Sequence, residues 1–280
     1  MSSSLLLSVV TFVYLLAALL YVCHFTFKVR VLGPMATAVT VAGFLINTAG
    51  IILRWVESYQ LGVGHAPLSN MYESLVFFAW AIILIYLLIE WRSGYRSIGS
   101  FATPLAFWTM AYASFSSLDS NIQPLIPALK SNWLIAHVLT CFFGYAAFGV
   151  SCAISIMYLI KRRQKKRTSR GLMDLIPETG VLEDISYRTI LIGFVMLSAG
   201  IITGSVWAHS AWGAYWSWDP KETWSLITWL MYATLLHARL MRGWEGKRIA
   251  VLSIVGFACV LFTYFGVNFL LSGLHSYGSS

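Results

Sequence analysis

Eight apolar stretches alternate with short polar segments along the chain, at residues 4–26, 36–56, 71–91, 99–117, 131–161, 186–208, 221–242 and 248–272. Each is long enough to cross a bilayer at about 20 residues per crossing. The pattern predicts an all-α, polytopic transmembrane helical bundle of about eight spans. The fourth stretch is the least regular, interrupted by Pro104 and several polar residues. The run from Leu5 to Val22 exceeds the apolar core of a signal peptide and has no small-residue cleavage site after it, so it reads as a span. Neither an internal repeat nor a separate soluble domain is evident, and residues 1–280 read as one integral membrane domain.

Composition agrees, with 58% hydrophobic and 11% charged residues. A net charge of +8 could suggest a nucleic-acid partner, but the cations fall in every second loop between apolar runs. They are Lys28 and Arg30; Arg92 and Arg96; the run Lys161 to Arg167; and Arg242, Lys247 and Arg248. This is topogenic charge, and no nucleic acid is implied. The positive-inside rule then puts both termini on the outer side, with loops 57–70, 118–130 and 209–220 and the tail after Leu271. Residues 162–185 become the one sizeable cytoplasmic loop, and a basic one. Cys23, Cys141, Cys152 and Cys259 all lie in apolar runs without metal or haem-attachment spacing, and read as small core residues.

Residues 207–224, at the outer edge, are the densest feature. Trp207, Trp212, Trp216, Trp218 and Trp224 surround Asp219-Pro220-Lys221-Glu222. An interfacial aromatic belt accounts for two or three indoles, not five in one short external segment. They suggest a flat platform for a large planar ligand. Asp219 with Pro220 and Glu222 also has the form of a helix start with a capping box. The six histidines sort by depth. His137, about two turns into span five, and His275, past the end of span eight, converge on the Trp segment. Imidazoles from two helices are a common way to hold a haem iron at both axial positions. His237 lies about 25 Å along the seventh span, counted from Pro220, and a histidine at such depth is a functional candidate. His24 ends span one at the inner side. His65 and His209 fall in outer loops, His65 available as a ligand or proton carrier and His209 as a lining residue. Arg54 could snorkel, meet a ligand carboxylate, or pair with Glu57. Asn70 and Glu73 form a capping-box-like start to span three.

The stretch from Trp212 to Trp224 resembles the tryptophan-rich "WWD" signature of haem-handling proteins of cytochrome c maturation, shared by the CcmC and CcmF families. The whole chain is similar to the CcsA (ResC) family of system II cytochrome c synthases. The likeness includes Gly64-His65 through Ser74, Ala136-His137-Val138, Leu236-His237 with Arg239, and Gly273 to Gly278 around His275. The resemblance implies that His137 and His275 are the external axial ligands of haem b under the Trp segment, with Trp207, Trp212, Trp216, Trp218, Trp224 and Asp219 forming the binding region. It implies that His237 is a transmembrane ligand of an inner haem-entry site, the other ligand coming from a ResB (CcsB)-like membrane partner. His24 could stand in for that ligand. The activity implied is a cytochrome c haem lyase: haem reaches the external face of a bacterial cytoplasmic or thylakoid membrane, and the two thiols of an apocytochrome c Cys-x-x-Cys-His segment, kept reduced by a thiol-reducing system, add to its vinyl groups. Two rivals stand beside it. One is a haem carrier without attachment activity. The other is a b-type electron-transfer subunit, against which weighs the fact that no helix carries two histidines.

Overall fold

The computed structural model describes residues 2–164 and 175–271, and within them the secondary structure is entirely helical. The long elements are α1 (Ser3–Phe27), α2 (Leu32–Gln60), α3 (Met71–Ser93), α4 (Gly99–Phe115), α5 (Asn132–Gln164), α6 (Thr179–Trp212), α7 (Pro220–Arg242) and α8 (Lys247–Leu261). A π-helical turn, Phe262–Gly266, carries α8 into the short α9 (Val267–Leu270). Six of these rods are long and apolar enough to cross a membrane: α1, α2, α3, α5, α6 and the continuous α8–α9. The chain is therefore an integral membrane protein. α4 has 17 residues, about 26 Å of helix, a little short of a hydrocarbon core of about 30 Å. α7 is long enough but carries Lys221, Glu222, His237, Arg239 and Arg242.

Two boundaries differ from the hydropathy pattern. α5 continues to Gln164 and α6 begins at Thr179, so helix occupies much of the expected 162–185 loop, of which 165–174 lie outside the described residues. α6 also runs on to Trp212, which puts His209 and Trp212, expected in the loop 209–220, on the same helix as Trp207. Gly213, at φ 79°, ends it; a left-handed residue is where a helix stops without a Cβ penalty.

α5 is the hub. It packs on α6, α8, α3 and α4, and 78% of its most apolar window is buried, against 28–61% for the other spans. α1, α2, α3 and α4 form one side of the bundle, while α7 leans on α8 and α6. Across the centre the Phe148 and Tyr232 rings stack at 3.5 Å between centroids, joining α5 to α7. Trp229 of α7 donates its indole N–H to Ser198 Oγ of α6 at 2.8 Å.

Two buried charges inside the bundle pair with each other. Arg54 Nε donates to Glu73 Oε1 at 2.7 Å, with the two side chains 3% and 1% exposed. Glu73 Oε2 accepts from the Ser69 backbone and hydroxyl, both at 2.8 Å, and Arg54 Nη2 reaches the Asn121 carbonyl at 3.3 Å. Arg54 therefore neither snorkels nor pairs with Glu57, whose carboxylate holds the start of α1 through the Ser3 N–H at 2.9 Å. The reason is direction: Arg54 faces α3, whose first turn presents Glu73, itself fixed by the Asn70 cap at 2.8 Å.

A buried ion pair of this kind makes a clear expectation. Arg54→Met, which strands Glu73 among apolar side chains, should destabilise the detergent-solubilised protein by about 3–5 kcal/mol. Adding Glu73→Gln, which removes the charge yet still accepts from Ser69, should recover much of the loss in the thermal unfolding midpoint. A double variant no more stable than the single one would show that the charge balance is not what matters here.

Candidate functional site

At one end of the hub, α5, α6, α7 and the π turn surround an open cleft of about 140 Å³. Its walls include His137, Cys141 and Tyr145 of α5, Gly204 and Trp207 of α6, Tyr215 and Trp216 of the connection, Lys221 of α7, and Thr263 and Tyr264 of the π turn. The apolar floor is held by hydroxyl pairs. Tyr264 bonds Ser74 at 2.5 Å, and Thr263 bonds Thr228 at 2.9 Å. π turns inside helices often mark functional positions, and this one presents two consecutive side chains to the cleft.

His137 is the best-defined group. Its Nδ1 sits 2.7 Å from the Gly200 carbonyl oxygen of α6. A carbonyl only accepts, so Nδ1 carries the proton and the neutral ring keeps its lone pair on Nε2. This is the second-sphere arrangement that orients metal-binding imidazoles. The ring lies nearly parallel to Trp207, at 17° and 6.1 Å between centroids. Two glycines make room for it. A Cβ on Gly204 would collide with the imidazole, and one on Gly200 with Cys141 Sγ, which itself lies 3.7 Å from His137 Nδ1.

The five indoles do not form one plane. Trp207 is buried and donates to the Ala128 carbonyl at 2.8 Å. Trp212 meets it edge-on, at 65° and 4.8 Å. Trp216 and Trp218 are perpendicular, at 89° and 5.7 Å. Trp224 packs on Phe262 of the π turn at 4.1 Å. Only Trp207 and Trp216 line the cleft beside His137. Trp218 is 69% exposed and adopts φ 59°, a strained conformation for a bulky side chain. The flat platform read from composition is thus an angular cluster, because three of the indoles belong to helices whose faces point differently.

Asp219 is buried and its Oδ1 accepts from the Lys221 backbone N–H at 3.0 Å. Glu222 Oε2 turns back to the backbone N–H groups of Ser217 at 2.8 Å and Asp219 at 3.3 Å. The expected capping box is present, with Pro220 at the first helical position.

The other histidines separate. His237 is exposed on the outer surface of α7, away from the cleft, with Thr234 exposed one turn before it. His24 bonds the Val29 carbonyl at 2.9 Å, and its helix α1 packs on α2 and α4 rather than near α7. His209 is exposed and stacks on Tyr215 at 4.2 Å. His65 is buried with both ring nitrogens on carbonyls, Ala66 at 2.9 Å and Gln123 at 3.0 Å, so it clips two loops together and offers no nitrogen to a ligand. His275 lies outside the described residues. Gly200, Gly204, Tyr145, Tyr264 and Asn268 escaped the sequence reading. The glycine spacing at 193, 200 and 204, one helical face of small residues, is the signal that could have found the close helix contact.

A family model described as cytochrome C assembly protein matches residues 68–275. "Cytochrome c biogenesis protein CcsA" of Synechococcus sp. (strain CC9902) is 43% identical over 270 residues, covering 88% of this chain and 87% of its own. The protein of the same name from Chlamydomonas reinhardtii is 44% identical over 239 residues, covering 81% of this chain and 64% of its own. Among solved structures, "Cytochrome c Heme Lyase CcmF" superposes with a TM-score of 0.73 at 18% identity, covering 95% of this chain and 47% of that one. At that identity the likeness is one of fold.

The cap geometry separates two roles for Asp219. Asparagine caps a helix about as well as aspartate, whereas alanine forfeits about 1 kcal/mol. Asp219→Ala should therefore lower the unfolding midpoint and alter the Trp fluorescence of the cluster, while Asp219→Asn should leave both close to those of the parent protein. An Asn variant as damaged as the Ala variant would mean that the charge, rather than the cap, is required.

Proposed function

The chain belongs to the CcsA family of cytochrome c assembly proteins, and from that premise we propose that it delivers haem b to the outer face of its membrane and promotes thioether attachment to apocytochrome c. The observation that carries this reading is His137, whose Nδ1 is committed to the Gly200 carbonyl so that Nε2 is left as the basic nitrogen beside an aromatic cleft. In this reading His137 is one axial ligand of the haem iron and His275, in the family's closing motif, is the other. Trp207 backs the His137 ring, Trp212 and Trp224 buttress the cluster, and Trp216 and Trp218 extend it toward solvent. Asp219 fixes the start of α7. A cleft of about 140 Å³ is smaller than most ligand pockets, so it would take one edge of the macrocycle and leave the remainder open. That suits a cargo which must be presented to a protein substrate.

Attachment itself is redox-neutral. Each thiol S–H adds across a vinyl C=C, with sulfur going to the carbon next to the ring and hydrogen to the terminal carbon. The apocytochrome must therefore arrive reduced, which requires a thiol-reducing system. The histidine of its own segment then replaces His137 or His275 on the iron. What this chain contributes is position, iron ligation and water exclusion.

We place the cleft and residues 207–224 outside, residues 162–185 inside, and both termini outside, in a single membrane domain of eight spans. The membrane is a bacterial cytoplasmic or thylakoid one. Packing of α4 against α1 and α3, and of α7 against α8 and α6, supports counting these two polar rods as crossings. His237 serves as a ligand of an inner haem-entry site. Its exposure on α7, next to Thr234, supports a second ligand supplied by a ResB (CcsB)-like partner rather than by His24.

His137→Ala should abolish thioether product that survives acid–acetone extraction and reduce haem recovered with the purified partner complex. Gly204→Ala, which crowds the imidazole, should reduce both in the same direction but less. Wild-type Soret absorbance and attachment in His137→Ala would sink the assignment. Haem that binds normally in the wild-type complex but never becomes attached to added reduced apocytochrome would favour a carrier.

A further inference from the structure

Among the described residues Lys221 is the one lysine or arginine in the walls of the cleft, where Glu222 is its neighbour, and its environment is unusual for a lysine at a membrane edge. A snorkelling side chain sends its ammonium to water. Here Nζ instead donates to Asn268 Oδ1 at 3.1 Å, across from α7 to α9. The ion pairs found among the described residues are Arg54–Glu73, Arg96–Glu90 and Arg188–Asp184, and none involves Lys221. The two acids nearest in sequence hydrogen-bond the backbone rather than the ammonium, which Asp219 attracts only through space. Asp219 accepts the N–H of Lys221 itself, and Glu222 accepts those of Ser217 and Asp219. The cap thus satisfies the N–H groups of the helix start, while the ammonium, on a neutral amide partner, keeps donors available on the cleft side.

A cation held at the wall of an apolar cleft, opposite an imidazole, suits a ligand with both a metal and a carboxylate. Resting on the haem reading of the cleft, we propose that Lys221, positioned by Asn268, is the anchor for one propionate of the macrocycle. The contact fixes rotation of the ring about the His137–iron axis, which His137 alone leaves free. That rotation decides which edge, and so which vinyl group, faces the incoming thiols. The π turn has a part in this, because it sets the register at which Asn268 follows Thr263 and Tyr264 along the same strand of helix.

The test compares haem with haem dimethyl ester, whose propionates are neutral, binding to the purified full chain in complex with its partner. Only the His137-dependent Soret change is counted. The wild type should bind the free acid roughly ten-fold or more tightly than the ester, the weight of one charge-assisted hydrogen bond. Lys221→Met should lower haem affinity to that of the ester and leave ester affinity unchanged, and Lys221→Arg should retain the preference. Equal weakening of both macrocycles in Lys221→Met means a packing role and overturns the proposal. So does a preference that survives Lys221→Met, as it would if Lys221 received a carboxylate of the apocytochrome instead. If neither macrocycle gives a His137-dependent signal, it is the haem reading of the cleft that fails.

Discussion

Where α5 and α6 run against each other, their backbones approach so closely that almost any side chain at the contact would have to move. A Cβ on Gly144 would lie 3.1 Å from the Gly193 carbonyl oxygen; one on Gly193 would strike Phe148; Gly200 and Gly204 face Cys141 and His137. In lipid, helices gain little from hydrophobic exclusion, and close packing of small residues is what holds such a pair. The same approach brings the Gly200 carbonyl within 2.7 Å of His137 Nδ1. Packing and site geometry therefore share one contact: the glycine face that lets α6 dock on the hub is also what orients the imidazole. The rest of the site is arranged round that fixed ring, with Trp207 behind it and the π turn across from it.

The treatment of polar groups elsewhere in the bundle sharpens the contrast. Glu90 accepts from Tyr21 at 2.8 Å, from Thr37 at 2.6 Å and from Tyr86, with Arg96 at 3.4 Å. Ser151 of α5 bonds Ser186 of α6 at 2.8 Å and Ser253 of α8 at 3.1 Å. Arg54 and Glu73 neutralise each other. Leaving such groups unmatched away from water costs several kcal/mol each, so a matched interior is the expected state. Exceptions within the core are Asn47 Oδ1, Ser97 Oγ, Ser116 Oγ, Tyr232 Oη and Arg239 Nη1. Set apart from these are His137 Nε2, the Lys221 ammonium on its neutral partner, and His237 on the outer surface of α7. These groups face a cleft or the exterior, where something other than this chain can complete them.

Hydropathy alone located the rods within a few residues, because apolar length is what a bilayer demands and the signal is local. It did less well at the N-terminal end of α6, where Thr179 to Ile185 mix charged and apolar residues and α6 packs on α5. Side-chain pairing was less legible still. Glu57 lies on the same helix as Arg54, yet the arginine turns to Glu73 across the bundle, since the direction of a helix face is set by neighbours that sequence spacing does not reveal. His65 looked available for the same reason: its two carbonyl partners come one from its own loop and one from residue 123. The Trp segment was found at once by density, but its geometry was not, because indoles on α6, on the connection and on α7 answer to three different helix faces.

The connection between α6 and α7 illustrates how one short stretch serves two ends. Gly213 stops α6, Trp218 accepts a left-handed backbone, and Asp219 with Glu222 restarts the chain as α7. Trp218 stands immediately before that cap with its indole 69% exposed. Both carboxylates bond the helix start, and Asp219 still acts through space on the ammonium of Lys221. The segment carries two carboxylates in its cap and, between them, an ammonium turned to Asn268 of α9. One short connection thus ends α6, starts α7 and sets a lysine beside Glu222 in the wall of the cleft.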